Sequence, residues 1–148
     1  MSTRPHAAGA ASPARWHSMI ASGDLSAVPS LVRADTVLRS PTAHEPDPGR
    51  DAVVFILRTV FTVFEKFTDH RQLSSDDGLD VVLEFSAEVD GRQLKGIDLI
   101  RFDDEGQIVD FEVMVRPMSG LAALGEAMSR RVADVLPTLQ GGAGGPDA

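Results

Sequence analysis

The sequence predicts an α+β domain, with helices and one strand first, then antiparallel hairpins, then a closing helix. Two observations carry this expectation. Val53, Leu57, Val60, Phe61 and Phe64 recur at helical spacing, with Arg58, Thr59, Thr62, Glu65 and Lys66 on the opposite side. From about Lys66 to Val115, apolar and polar residues alternate in stretches separated by the turns SSDDG, Asp90-Gly91 and DDEG.

The elements follow in order. SPARWHSMIASGD reads as a short amphipathic helix, with Ser12 as cap, Pro13 in its first turn and Trp16, Met19 and Ile20 on one face. DLSAVPSLV begins a second short helix after Asp24, in which Pro29 is tolerable only near the start. DTVLRSP is a strand ended by Pro41, and TAHEPDPGR is a loop entering the long helix, with Asp51 as its cap. The strands KFTDHRQL, LDVVLEFSAEV, RQLKGIDLIRF and QIVDFEVMV follow, the last ended by Arg116-Pro117. SGLAALGEAMSRRVADVL closes the fold with Leu121, Leu124, Met128, Val132 and Leu136 in a stripe. Residues 1–12 and 137–148 are rich in Gly, Pro and Ala and read as disordered tails around a domain over 13–136.

Composition narrows the function. A chain of 148 residues, 43% hydrophobic, is one domain with a real core. The net charge of −8 and the lack of a basic stripe argue against nucleic acid and anionic membranes as partners. The longest strong apolar run, AVVFIL, is far short of a membrane span, and the N-terminus has no apolar core of a secretory signal. With no cysteine there is no disulfide framework and no thiolate chemistry, which fits a cytoplasmic location. His6, His17, His44 and His70 are too scattered for a metal site, and no cofactor is expected.

Asp98 is the chemically informative residue. Alternation sets Leu94, Gly96, Asp98, Ile100 and Phe102 on one side of GIDLIRF and its lead-in, and Lys95, Ile97, Leu99 and Arg101 on the other. The first set is the inner face. In the last strand Val109, Phe111, Val113 and Val115 form the expected inner set. A carboxyl among such side chains is desolvated, which favours its protonated form and suits it to proton transfer near neutral pH. The alternative is a structural aspartate paired with Arg39 or Arg116, or bonded to backbone near Gly96.

The stretches ASGDLSAVPSLVRADTVLRSP, PGRDAVVFIL and DGRQLKGIDLIRFDDEGQIVDFEVM carry a resemblance to the nuclear transport factor 2-like superfamily. That superfamily includes SnoaL-like cyclases, ketosteroid isomerase, scytalone dehydratase and limonene epoxide hydrolase. The resemblance covers about residues 14–130. It implies a cone: a bent antiparallel sheet wrapped around the N-terminal helices, with an apolar pocket at the open end. It also implies homodimers through the outer face of the sheet.

Ketosteroid isomerase uses one Asp as base, with a Tyr and a protonated Asp as oxyanion hole. Matched by motif, Asp98 falls on the protonated Asp, Trp16 on the Tyr and Ser40 on the base. With Ser40 there and no tyrosine in the chain, steroid isomerisation by that mechanism is not expected. The Asp-Arg-Asp arrangement of the epoxide hydrolase has no match. The expected site is therefore Asp98 as proton donor or acceptor, with Trp16, Ser40, His44, Phe61, Phe85, Phe111 and Val113 contacting a small hydrophobic molecule. Two readings stand: an isomerase, cyclase or dehydratase, and a non-catalytic dimeric interaction module.

Overall fold

The computed structural model describes residues 15, 16, 18–20 and 22–139, with side chains placed as far as residue 133. Ser12, Pro13, His6, His17, the tail over 1–12 and residues 140–148 lie outside this set, as does the side chain of Leu136. The described residues among 15–22 are helical (α1). Then come α2 (Val28–Leu31), β1 (Val32–Arg39), β2 (Asp47–Pro48), α3 (Arg50–Val63), β3 (Glu65–Ser74), β4 (Asp80–Val89), β5 (Arg92–Phe102), β6 (Ile108–Arg116) and α4 (Met118–Leu139). The strands form one curved, open sheet in the order β2-β1-β6-β5-β4-β3.

The α+β class and the helix faces are as the sequence predicts. Trp16 and Met19 of α1 and Val53 and Leu57 of α3 are buried in one apolar cluster with Leu83, Ile100 and Phe111 of the sheet. A second cluster, with Phe85, Leu94, Leu124 and Ala127, seats α4 on the other end of the sheet. Gly120 allows that seat: a Cβ there would lie 2.7 Å from the Gln93 carbonyl oxygen and the Leu94 Cβ. Among the described residues no helix is long and apolar enough to cross a membrane.

Several local expectations are corrected. The helix cap is Gly49 at φ 97, with no side-chain cap bond, so Asp51 sits in the first turn, where its charge suits the helix dipole. Asp24 instead caps a turn, accepting from the Ser26 N–H at 3.0 Å, and α2 starts at Val28 with Pro29 in its first turn. Phe64 ends α3 in an extended conformation, so Glu65 and Lys66 already belong to β3. Part of the expected loop pairs as β2 with β1. β1 joins β6 in parallel, a pairing for which the sequence holds no local signal. α4 continues past Pro137 to Leu139.

The inner set of β6 is also revised at one position. Ile108, not Val109, is fully buried, because the β5–β6 register shifts between Arg101 and Phe102. One extra residue there reverses the alternation before Phe111.

Candidate functional site

β5 places Asp98 where alternation puts it. Leu94, Gly96, Asp98, Ile100 and Phe102 are all buried, and Lys95 and Arg101 are exposed. Asp98 is 6% exposed. Its cross-strand neighbours are Leu83 on β4 and Val113 on β6, with Gly96 and Ile100 beside it on its own strand. These four neighbours are apolar.

Neither structural alternative for this aspartate is realised. Arg39 pairs with Asp110 at 3.1 Å, and Arg116 is exposed and lines a groove on the opposite face. Among the described residues no hydrogen bond stabilises the Asp98 carboxylate; burial, and then the charge of Asp69, push its pKa up to about 8. At neutral pH the group is mostly a neutral acid, able to donate a hydrogen bond and to take part in proton transfer.

Asp69 was not among the residues singled out from sequence. It lies on β3 opposite Phe85, and therefore on the inner face. Gln72 joins it there, opposite Leu83. Three residues apart in a regular strand would point to opposite faces. The register shift between Asp69 and Gln72 puts them on the same one. The intervening His70 and Arg71 point outward, His70 to Ser86 at 2.8 Å and Arg71 to Glu84 at 2.7 Å. The available signal was Phe67 two residues before Asp69, an aromatic marking the inner face of an otherwise polar strand.

The aromatic residues complete the surroundings. Phe85 stacks on Phe67 at a centroid distance of 5.2 Å and meets Phe64 at 5.4 Å. Phe61 contacts Phe67 at 5.4 Å and Trp16 at 5.9 Å. Phe85 also lies against Gly96, where a Cβ would stand 2.7 Å from its ring and 2.6 Å from the Met114 carbonyl oxygen. This glycine lets the far edge of the Phe85 ring approach β5 two residues from Asp98.

The other expected contacts divide. Trp16, Phe85 and Phe111 are core residues, while Phe61 and Val113 are partly exposed beside them. Ser40 follows β1 and is held by Thr42, with Oγ to Oγ1 at 3.1 Å and the Thr42 N–H donating to it at 3.2 Å. His44 is exposed in the loop before β2. The structure thus gathers Asp98 with the aromatic residues but leaves Ser40 and His44 in the β1–β2 loop region. Thr36 Oγ1, inside the core from β1, has no hydrogen-bond partner among the described residues. No three potential metal ligands come together among the described residues.

On the outer face, Glu84 is held by Arg71 and by Lys95 at 2.9 Å, and these cations keep its carboxyl far below the usual range.

A family model described as a SnoaL-like domain matches residues 14–111. The chain belongs to the SnoaL-like domain family. It therefore sits in the nuclear transport factor 2-like superfamily, and the curved sheet with its helices is that superfamily's fold. A steroid delta-isomerase from Pseudomonas aeruginosa is 63% identical, with a TM-score of 0.86, covering 88% of this chain and 95% of that one. An uncharacterised bacterial protein with a cystatin-like fold from Silicibacter pomeroyi is 35% identical, with a TM-score of 0.80, covering 87% and 90%. The epoxide hydrolase/cyclase-like enzyme SalBIII, of pyran ring formation in polyether salinomycin, shares the fold at 18% identity and a TM-score of 0.62, covering 76% and 92%. No curated protein matches this SnoaL-like chain.

Proposed function

We propose that this SnoaL-like protein binds a small hydrophobic molecule on the inner face of its sheet and catalyses a proton shift beside a carbonyl group. The observation that carries the reading is Asp98, a carboxyl surrounded by apolar side chains and mostly protonated at neutral pH. Such an acid donates a hydrogen bond to a carbonyl oxygen, and the bond strengthens as that oxygen becomes an enolate.

Asp69 supplies the base in this scheme. Its carboxylate takes a proton from the carbon beside the carbonyl and returns it to another carbon of the same conjugated system. Bonds and charge balance with no co-reactant, and both carboxyls end as they began. This removes the need for a base at the Ser40 position. The steroid delta-isomerase relative makes a β,γ-unsaturated cyclic ketone the first compound to test. The aromatic residues Phe61, Phe64 and Phe67, each partly exposed, give an apolar ring system something to pack on.

The test follows conjugation of such a ketone by ultraviolet absorbance. The wild type is expected to turn it over. Asp98→Leu, which removes the donor, and Asp69→Asn, which removes the base, are each expected to lower kcat by about a hundredfold or more. Turnover unchanged in both variants would overturn the reading.

A second reading, a dimeric binding module, is favoured by the outer face. There Met114 is 44% exposed beside a groove of about 400 Å³ lined by Arg71, Lys95 and Arg116. We propose that two copies pair through this face. Sedimentation at dilutions down to micromolar concentration tests it, a monomer throughout being the contrary result.

A further inference from the structure

A groove lined chiefly by α3, with Pro29 of α2 and Arg131 of α4, shares no residue with the surroundings of Asp98. Its volume is about 650 Å³, within the range of small-molecule sites. It follows α3 from Arg50 to Thr62, a track of roughly 18 Å at the helical rise. Val54, Phe55 and Pro29 supply apolar lining, and Arg50, Arg58 and Arg131 supply the charge.

These three arginines differ from most others in the chain. Arg33, Arg39, Arg71, Arg101 and Arg130 each face a carboxylate within salt-bridge distance. The groove arginines instead bond to neutral oxygens. Arg50 Nε donates to the Val32 carbonyl at 2.9 Å. Arg58 reaches the Leu25 carbonyl at 3.5 Å. Arg131 donates to Thr62, to Oγ1 at 2.8 Å and to the carbonyl at 3.4 Å. A guanidinium has five N–H donors, and among the described residues each of these three uses at most two. In a chain of net charge −8, three guanidinium groups that have no salt bridge among the described residues line one groove, with Asp51 as its single carboxylate.

The charge is concentrated at one end. Asp51 also lines the groove, beside Arg50. Arg58 and Thr62 are one helical turn apart on the same face, and Arg131 is anchored on Thr62. Arg58 and Arg131 therefore flank a single turn of α3, with Val54 and Phe55 leading away from it.

We propose that this groove is a second binding site, for an amphipathic anion with a carboxylate or phosphate head group on an apolar body. The head group sits between Arg58 and Arg131, where charge-assisted hydrogen bonds from a guanidinium are strongest with such oxyanions. The apolar body lies along Val54, Phe55 and Pro29. The site is independent of the inner face and of the chemistry proposed there.

Calorimetric titration of the full chain with octanoate, octyl phosphate, octanol and inorganic phosphate tests this. At least one octyl anion is expected to bind, and which one identifies the head group. Octanol and inorganic phosphate are each expected to bind about tenfold more weakly or worse. Arg58→Gln with Arg131→Gln is expected to lower the anion's affinity by about tenfold or more. Arg58→Glu alone, at an exposed side chain, is expected to do the same and guards against a folding defect in the double variant. Amide NMR shifts are expected at Val54 to Thr62, and Asp98→Asn is expected to leave the affinity unchanged. Equal binding of octanol, an unaffected Arg58→Glu variant, or shifts centred on Leu83 and Val113 would overturn the proposal.

Discussion

Asp69 and Asp98 share the inner face of the sheet from β3 and β5, and the charge on Asp69 adds to burial in raising the Asp98 carboxyl to about 8. A shift of that size couples folding to pH. Asp98 binds its proton far more tightly in the folded chain than at its ordinary value of 3.8. Its contribution to stability is therefore complete below about pH 4, declines as pH rises toward 8, and is lost above that. The full swing is on the order of 5 kcal/mol. Asp98→Asn keeps the shape without the titration. Thermal melting of both chains from pH 5 to pH 9 is expected to show the wild type losing ground steadily, with the variant the more stable at pH 9. Parallel curves would contradict a buried acid.

Glu84 has the opposite sign. Arg71 and Lys95 hold its folded-state value below that of the unfolded chain, so its contribution is present above about pH 4.5 and lost as the solution is acidified. Glu84→Gln is expected to melt below the wild type at pH 7, with the gap beginning to narrow below about pH 4.5 and continuing to narrow as the solution is acidified further. A gap as wide at pH 3 as at pH 7 would assign the loss to packing rather than charge.

Gly96 is required by close approach. Gly96→Ala drives a methyl into the Phe85 ring and the Met114 carbonyl, and a loss of about 1–3 kcal/mol is expected in denaturant melts. Adding Phe85→Leu is expected to recover only part of it, because the Met114 oxygen is backbone. An unchanged midpoint for Gly96→Ala would mean that β5 and β6 separate easily.

These residues show where the sequence is legible. Asp98 could be read from it because β5 is regular over its whole length, so alternation assigned every face of GIDLIRF correctly. Trp16, Val53 and Leu57 were legible for the same reason, at helical period. Asp69 and Gln72 were not, since the register shift between them breaks the alternation from which a face is read. Ile108 was misplaced by a similar shift. The parallel pairing of β1 with β6 joins segments far apart in the chain and depends on the closed fold rather than on any local pattern. Ser40 was matched by motif alone, and motif position carries no information about the hydrogen bonds that bind it to Thr42.

The most direct test is the carboxyl carbon of Asp98, followed by NMR from pH 3 to pH 10 in the folded protein, with Asp98→Asn to assign the resonance. A midpoint near 8 is expected, with a small downward move in Asp69→Asn as the neighbouring charge is removed. A midpoint near 4 would show an ordinary solvated carboxylate and would remove the basis for acid chemistry on the inner face.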